Sequence, residues 1–131
     1  MSENVELVQR AIKVINRADF DAVAEIVSED FELDFSNSRG PLSGVYRGRE
    51  GALDFLQTFF EAWTSVEYRG DEFIDLSGGR VLEVGGLRTR GHTSGVEVSA
   101  SGATIWTIGN GKVVAAKMYQ SKDEALEAAR P

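Results

Sequence analysis

An α+β domain is predicted by three features of this 131-residue sequence. Helical periodicity is concentrated before Thr64, a period of two takes over beyond it, and the chain closes on two strand-like runs joined by Gly109-Asn110-Gly111. Helices first and an antiparallel meander afterwards give a sheet with helices packed over one face. The closing hairpin is the sharpest signal, Thr104 to Ile108 and then Lys112 to Gln120 around a Gly-Asn-Gly turn.

From Asn4 to Arg17 the apolar residues Val5, Val8, Ile12 and Ile15 recur at helical spacing, widened by Leu7, Ala11 and Val14. Asp19 is placed to cap a second helix carrying Phe20, Val23, Ala24 and Val27, with its end near Ser28-Glu29-Asp30. Phe31, Leu33 and Phe35 then alternate with Glu32 and Asp34, which is the pattern of a short strand. Ser36 to Gly48 contains Gly40, Pro41, Ser43 and Gly44 and reads as a loop. A third helix runs through Leu53, Leu56, Phe59, Phe60 and Trp63. Beyond it Gly78-Gly79 and His92-Thr93-Ser94-Gly95 read as turns between antiparallel strands. Gly85-Gly86 inside a strand marks a bulge, a bend or a close backbone approach, and a strongly curved sheet accounts for it. The last helix opens on the capping box Ser121-Lys122-Asp123-Glu124.

Composition excludes several function classes. One domain of 14.3 kDa fills the chain, and its apolar runs are far shorter than a membrane span. The acidic, polar N-terminus does not read as a signal peptide, and a cytoplasmic location is expected. With no cysteine there is no disulfide, thiol nucleophile or thiolate metal site. The single histidine, His92, rules out multi-histidine metal motifs, and no loop has the carboxylate density of a calcium site. No metal and no cofactor is expected. A net charge of -7 repels nucleic acid and anionic lipid, so neither is an expected partner.

Three segments carry a family resemblance: Asn16 to Val23, Pro41 to Gly51, and Trp106 to Val114. With the order of elements they resemble the SnoaL-like branch of the nuclear-transport-factor-2-like superfamily, over nearly the whole chain. The resemblance implies a cone-shaped curved sheet around a pocket closed by the helices, a small apolar or aromatic ligand, and a homodimer through the outer face of the sheet. It is weak for activity, because this superfamily hosts isomerases, cyclases, hydrolases, binding proteins and interaction modules. The ketosteroid-isomerase relatives use a Tyr, an Asp base and a protonated Asp, and those roles fall here on Ala11, Phe35 and Thr104. None is kept, so the standard isomerase reaction lacks its groups.

The same correspondence turns Thr104, Trp106 and Ile108 inward from one hairpin strand and Ala116, Met118 and Gln120 from the other. A pocket wall of Phe35, Phe59, Trp63, Thr104, Trp106, Met118 and Gln120 follows, with Thr104 and Gln120 as hydrogen-bond handles; the alternative is a filled core. Glu83, Asp34, Tyr46 and Arg88 are the catalytic candidates. Glu83, in mid-strand, becomes a base if it points into an apolar pocket, against an outward, ion-paired alternative. Asp34 lies on the face opposite Phe35 unless a bulge shifts the register. Arg88 and Arg90 either bind an anionic ligand or pair with Glu97 or Glu83 at an exposed face. His92 reads as a hairpin-tip residue rather than a general base. Three readings stay open: a small-molecule binder, a metal-independent isomerase, cyclase or hydratase, and a non-catalytic dimeric module.

Overall fold

The computed structural model describes residues 2–37, 43–92, 95 and 97–130. Four helices and six strands form in them: α1 (Glu3–Asn16), α2 (Phe20–Ile26), β1 (Val27–Asp34), β2 (Val45–Arg47), α3 (Arg49–Glu61), β3 (Trp63–Leu76), β4 (Arg80–Gly91), β5 (Glu97–Gly109), β6 (Lys112–Tyr119) and α4 (Lys122–Ala128). The strands make one curled sheet in the order β2-β1-β6-β5-β4-β3. Every pairing is antiparallel except β1 with β6, which is parallel, so the sheet is mixed rather than a pure meander.

The helix starts follow from side-chain caps. Ser2 accepts from the Val5 N–H at 3.1 Å, Asp19 from Ala22 at 3.2 Å, and Ser121 from Glu124 at 3.1 Å, each satisfying a donor that helical geometry leaves free. α1 then buries Val5, Leu7, Val8, Ala11 and Ile12 against the sheet. The end of α2 lies earlier than periodicity suggests, since Val27 already pairs with Val113 of β6 and the chain passes directly from helix to strand. Trp63 likewise opens β3 instead of ending α3. Within the stretch read as a loop, Val45–Arg47 adds a short edge strand to β1, while Gly40 and Pro41 lie outside the described residues, as do Thr93 and Ser94 of the predicted hairpin turn.

Two cores lie on opposite faces of the sheet. α1, α2 and α3 close the larger one over Phe31, Leu33, Val81, Trp106, Val113 and Ala116. α4 covers a smaller one of Leu82, Ala103, Ile105, Tyr119 and Ala125, so the helices occupy both faces and not one. Val81 and Leu82 are both fully buried for this reason, each facing a different core.

A bulge interrupts the pairing of β3 with β4. Pairing runs Arg69↔Gly86 and Gly70↔Gly85, then resumes at Glu72↔Val84, leaving Asp71 as the extra residue of a bulge. A β-carbon on Gly85 would collide with the Arg69 carbonyl oxygen and lie 2.6 Å from Glu83 Oε2, so the close backbone approach expected of Gly85-Gly86 is present. Gly85→Ala is therefore expected to cost about 2–4 kcal/mol through forced backbone movement. Gly51 in α3 has open space at its β-carbon, and Gly51→Ala is expected to stabilise by about 0.5–1 kcal/mol. Urea unfolding of both variants checks the pair; equal midpoints would show that the bulge does not need its glycine.

Candidate functional site

The bulge decides which side chains meet inside the curve. Tyr68 precedes the extra residue and Phe73 follows it, and both turn toward the helical core although their numbers differ by an odd interval. Ile74 and Leu76 accordingly turn toward α4. Gly70 and Gly85, paired beneath this crossing, carry no side chains to fill the space: the Phe73 ring lies 2.6 Å from where a Gly70 β-carbon would sit, and the Glu83 carboxylate lies over Gly85.

Glu83 is 1% exposed. Its Oε1 accepts hydrogen bonds from the Tyr68 hydroxyl and from Trp106 Nε1, the latter at 3.3 Å. The Tyr68 hydroxyl also lies 3.3 Å from Thr104 Oγ1. Among the described residues no ion pair forms to Glu83; Asp71, whose charge adds to the upward push on it, is itself paired with Arg69 at 2.8 Å. Burial therefore dominates and pushes the Glu83 carboxyl up to about 7, although donation from Tyr68 and Trp106 pulls the other way. Burial, followed by the Glu83 charge, raises the Tyr68 phenol well above its ordinary range and keeps it a neutral donor. The arrangement is an enclosed carboxyl group poised between its two protonation states near neutrality, with a phenol and a hydroxyl beside it.

This overturns the outward, ion-paired alternative for Glu83, whose side of β4 turns into the curve, while the opposite side packs under α4 at Leu82 and reaches solvent only at Arg88 and Arg90. Arg88 and Arg90 sit there, exposed, and pair with Glu97 at 3.7 and 3.3 Å. Arg88 is thus distant in role from the buried carboxyl. Asp34 also falls outside the curve: the shift in β1 pairing comes before Glu32, so Asp34 stays opposite Lys117 and forms an ion pair with it at 3.8 Å. Burial alone would raise the Asp34 carboxyl, but donation from Ser36 and the Lys117 charge outweigh it and hold the group low. Asp34 borders a groove of about 260 Å³ on the face shared with α4, together with Arg80, Thr107 and Tyr119.

An aromatic run borders the concave face. Phe35 meets Phe55 edge-on at 5.2 Å, Tyr46 stacks on Phe55 at 4.1 Å, and Phe59 lies 6.4 Å from Trp63. Tyr46 is held in that stack and is not beside Glu83, where Tyr68 stands instead. Thr104 and Met118 face each other across β5 and β6, with Trp106 opposite Ala116. Trp63 keeps a buried indole Nε1 that finds no partner among the described residues. Gln120 departs from the expected wall: it is exposed beyond the end of β6, and its amide donates to the Asn37 carbonyl while Asn37 donates to Met118 at 3.3 Å. It ties the end of β1 to the end of β6. His92 is exposed and bridges Thr64 at 3.2 Å and the Glu61 carbonyl at 3.0 Å, which suits Nε2–H donating to the carbonyl.

Tyr68 was not singled out by sequence pattern. The available signal was an aromatic residue two positions before a strand glycine, Gly70, with a second glycine pair at Gly85-Gly86. Among the described residues no group of three or more His, Cys, Asp or Glu side chains gathers to hold a metal ion. No described helix is long and apolar enough to cross a membrane.

The chain is similar over nearly its whole length to solved structures of one fold. An NTF2-like protein from Burkholderia xenovorans LB400 is 25% identical with a TM-score of 0.76, covering 99% of each chain. TerC, co-crystallised with polyporic acid, is 19% identical with a TM-score of 0.77 over 98% of each chain. A Mycobacterium tuberculosis protein in complex with estradiol-17beta-hemisuccinate is 13% identical with a TM-score of 0.80, covering 94% of this chain and 97% of its own. Comparison with curated proteins finds no match. The family model of the SnoaL-like domain matches residues 8–116, and with the helix order and curled six-stranded sheet this places the chain in the SnoaL-like family.

Proposed function

We propose that the concave side of the sheet binds a small apolar or aromatic molecule and that Glu83 moves a proton on it, as an acid-base isomerase, cyclase or hydratase would. The observation that carries this reading is the enclosed Glu83 carboxyl, held by Tyr68 and Trp106 and with no ion pair among the described residues. Ionised and without a cation, such a group costs several kcal/mol to bury, and a carboxyl held near neutrality in an enclosed site is what a catalytic base requires. Tyr68 and Thr104 supply hydroxyls beside it for a ligand oxygen, and Phe35, Phe59, Trp63, Trp106 and Met118 supply the apolar border. The polyporic acid and estradiol hemisuccinate held by the two structural neighbours are aromatic molecules and support the same ligand class. Two copies of the chain associate through the sheet in this reading.

Proton exchange at the α-carbon of an aromatic ketone such as 2-tetralone, followed by NMR in deuterated buffer, tests the chemistry. Glu83→Gln is expected to lower the enzyme-dependent rate by about 100-fold or more, and Asp34→Asn to leave it within about twofold. Equal rates for wild type and Glu83→Gln would remove Glu83 as the base.

Protonation also fixes the sign of a stability effect. The folded Glu83 carboxyl titrates at about 7, above its ordinary 4.5, so the native state holds a proton that the unfolded chain has lost between these values. Its contribution is fully present below about pH 4.5 and is lost as pH rises through 7, a difference of about 3 kcal/mol. Denaturation of wild type and Glu83→Gln from pH 4 to 8 should show the gap between their stabilities changing by that amount. A constant gap would mean that Glu83 titrates normally in the folded protein.

A further inference from the structure

On the concave side β3 presents Tyr68, Gly70, Phe73 and Asp75 in that order, the extra residue at Asp71 having brought the last two into line with the first two. Gly70 is therefore a gap between two aromatic residues. Phe73 closes it: its Cζ lies 2.6 Å, and Ile12 Cδ1 of α1 3.2 Å, from where a Gly70 β-carbon would sit. Phe73 also stands directly opposite Glu83 in the ladder, while Tyr68 donates to the Glu83 carboxylate from the other side of the gap. β3 is the outermost strand at this end of the sheet, so the carboxyl lies one strand in from the edge. The way from Glu83 to that edge crosses β3 at Gly70, and the atoms met there are those of Phe73 and Ile12.

Phe73 borders open volume as well. A groove of about 360 Å³ between α1 and β3 is lined by Phe73 together with Ser2, Val5, Gln9 and Asp75. It has ample room for a benzyl side chain and lies within the range of ligand-sized cavities. A half-buried phenylalanine on an edge strand, with a glycine on one side and this groove on the other, has two places for its ring: over Gly70, or out against Val5 and Gln9. Passing between them takes a change of staggered rotamer. We infer that Phe73 is the gate of the Glu83 site: a ligand enters at the edge between α1 and β3, the Phe73 ring swings from Gly70 into the groove, and a ring of the ligand takes the space it leaves.

The gate selects its ligand by shape and charge. The space vacated beside Glu83 is that of one phenyl ring, so the part of the ligand that meets the carboxyl is a single flat ring or the leading ring of a larger aromatic molecule. Asp75 lines the entrance and the chain carries a net charge of -7, so a neutral ketone or phenol passes where a carboxylate is repelled. With the ring over Gly70 the site is closed, and apparent affinity falls by the fraction of molecules in that state.

The route rests on the reading that Glu83 meets an aromatic ligand. 2-Naphthol serves as a neutral probe, with affinity read by calorimetry and association by stopped-flow fluorescence. Phe73→Ala removes the gate and should bind 2-naphthol about tenfold more tightly than wild type, because no molecules are then closed. Phe73→Leu, apolar but without a ring, should shift in the same direction and serves where the alanine variant does not fold. Gln9→Trp fills the groove, leaves the Phe73 ring nowhere to go and should slow association about tenfold with unchanged circular dichroism. Wild type should bind 2-naphthoate about tenfold more weakly than 2-naphthol. Wild-type affinity in the Phe73 variants, wild-type association in Gln9→Trp, or equal binding of naphthol and naphthoate each overturns the gate; where Glu83→Gln still abolishes 2-tetralone exchange, the Glu83 reading survives it. Neither binding of 2-naphthol nor exchange of 2-tetralone by wild type and Phe73→Leu overturns both.

Discussion

Enclosing a carboxyl group that no cation pairs with among the described residues is the constraint around which the concave half of this fold is arranged. Glu83 could ionise freely only in water, and the sheet denies it water. Trp106 and Tyr68 return part of that solvation as hydrogen bonds to one oxygen, which reduces the cost without abolishing it. Replacing them with an arginine would have produced a permanently ionised ion pair. Two neutral donors leave the proton free to come and go.

Those donors reach Glu83 because the sheet changes phase. Without the extra residue at Asp71, Tyr68 and Phe73 would face opposite cores, since side chains alternate strictly along a regular strand. The bulge turns both inward, and the absence of side chains on Gly70 and Gly85 leaves room for the Phe73 ring and the carboxylate above the crossing. Backbone irregularity, glycine placement and proton chemistry are thus one feature seen at three scales. Asn16 fastens the same stretch from α1, accepting from the Tyr68 N–H and donating to the Tyr68 carbonyl, both at 2.7 Å.

Much of the architecture was legible because it depends on local pattern. Ser2, Asp19 and Ser121 cap where small polar residues precede apolar periodicity, and Asn110 and Gly111 take positive φ at the turn their identities suit. The family resemblance added the curl. What pattern could not supply was anything that depends on counting across a tertiary contact. Val45–Arg47 is too short to alternate, and the parallel partnership of β1 with β6 joins segments about 80 residues apart. Tyr68 belongs to the same class, because its partners Glu83 and Thr104 lie on other strands, 15 and 36 residues away. Gln120 was misplaced by extending the β6 alternation past the strand's end, where the chain has already turned toward α4.

Asp34 and Glu83 show how far environment, and not residue type, sets chemistry here. Both are strand carboxylates with a neighbour that donates a hydrogen bond. Asp34 has Lys117 and the Ser36 backbone at its side and a route to water along the α4 groove, so its charge is stabilised and its proton is lost early. Among the described residues Glu83 has only uncharged donors, Tyr68 and Trp106, and is almost wholly buried. A group held ionised cannot give a proton, and a group held neutral cannot take one. Glu83, near 7, can do either. The two faces of one sheet therefore separate a carboxylate held as a charge by Lys117 from one enclosed against Tyr68 and Trp106.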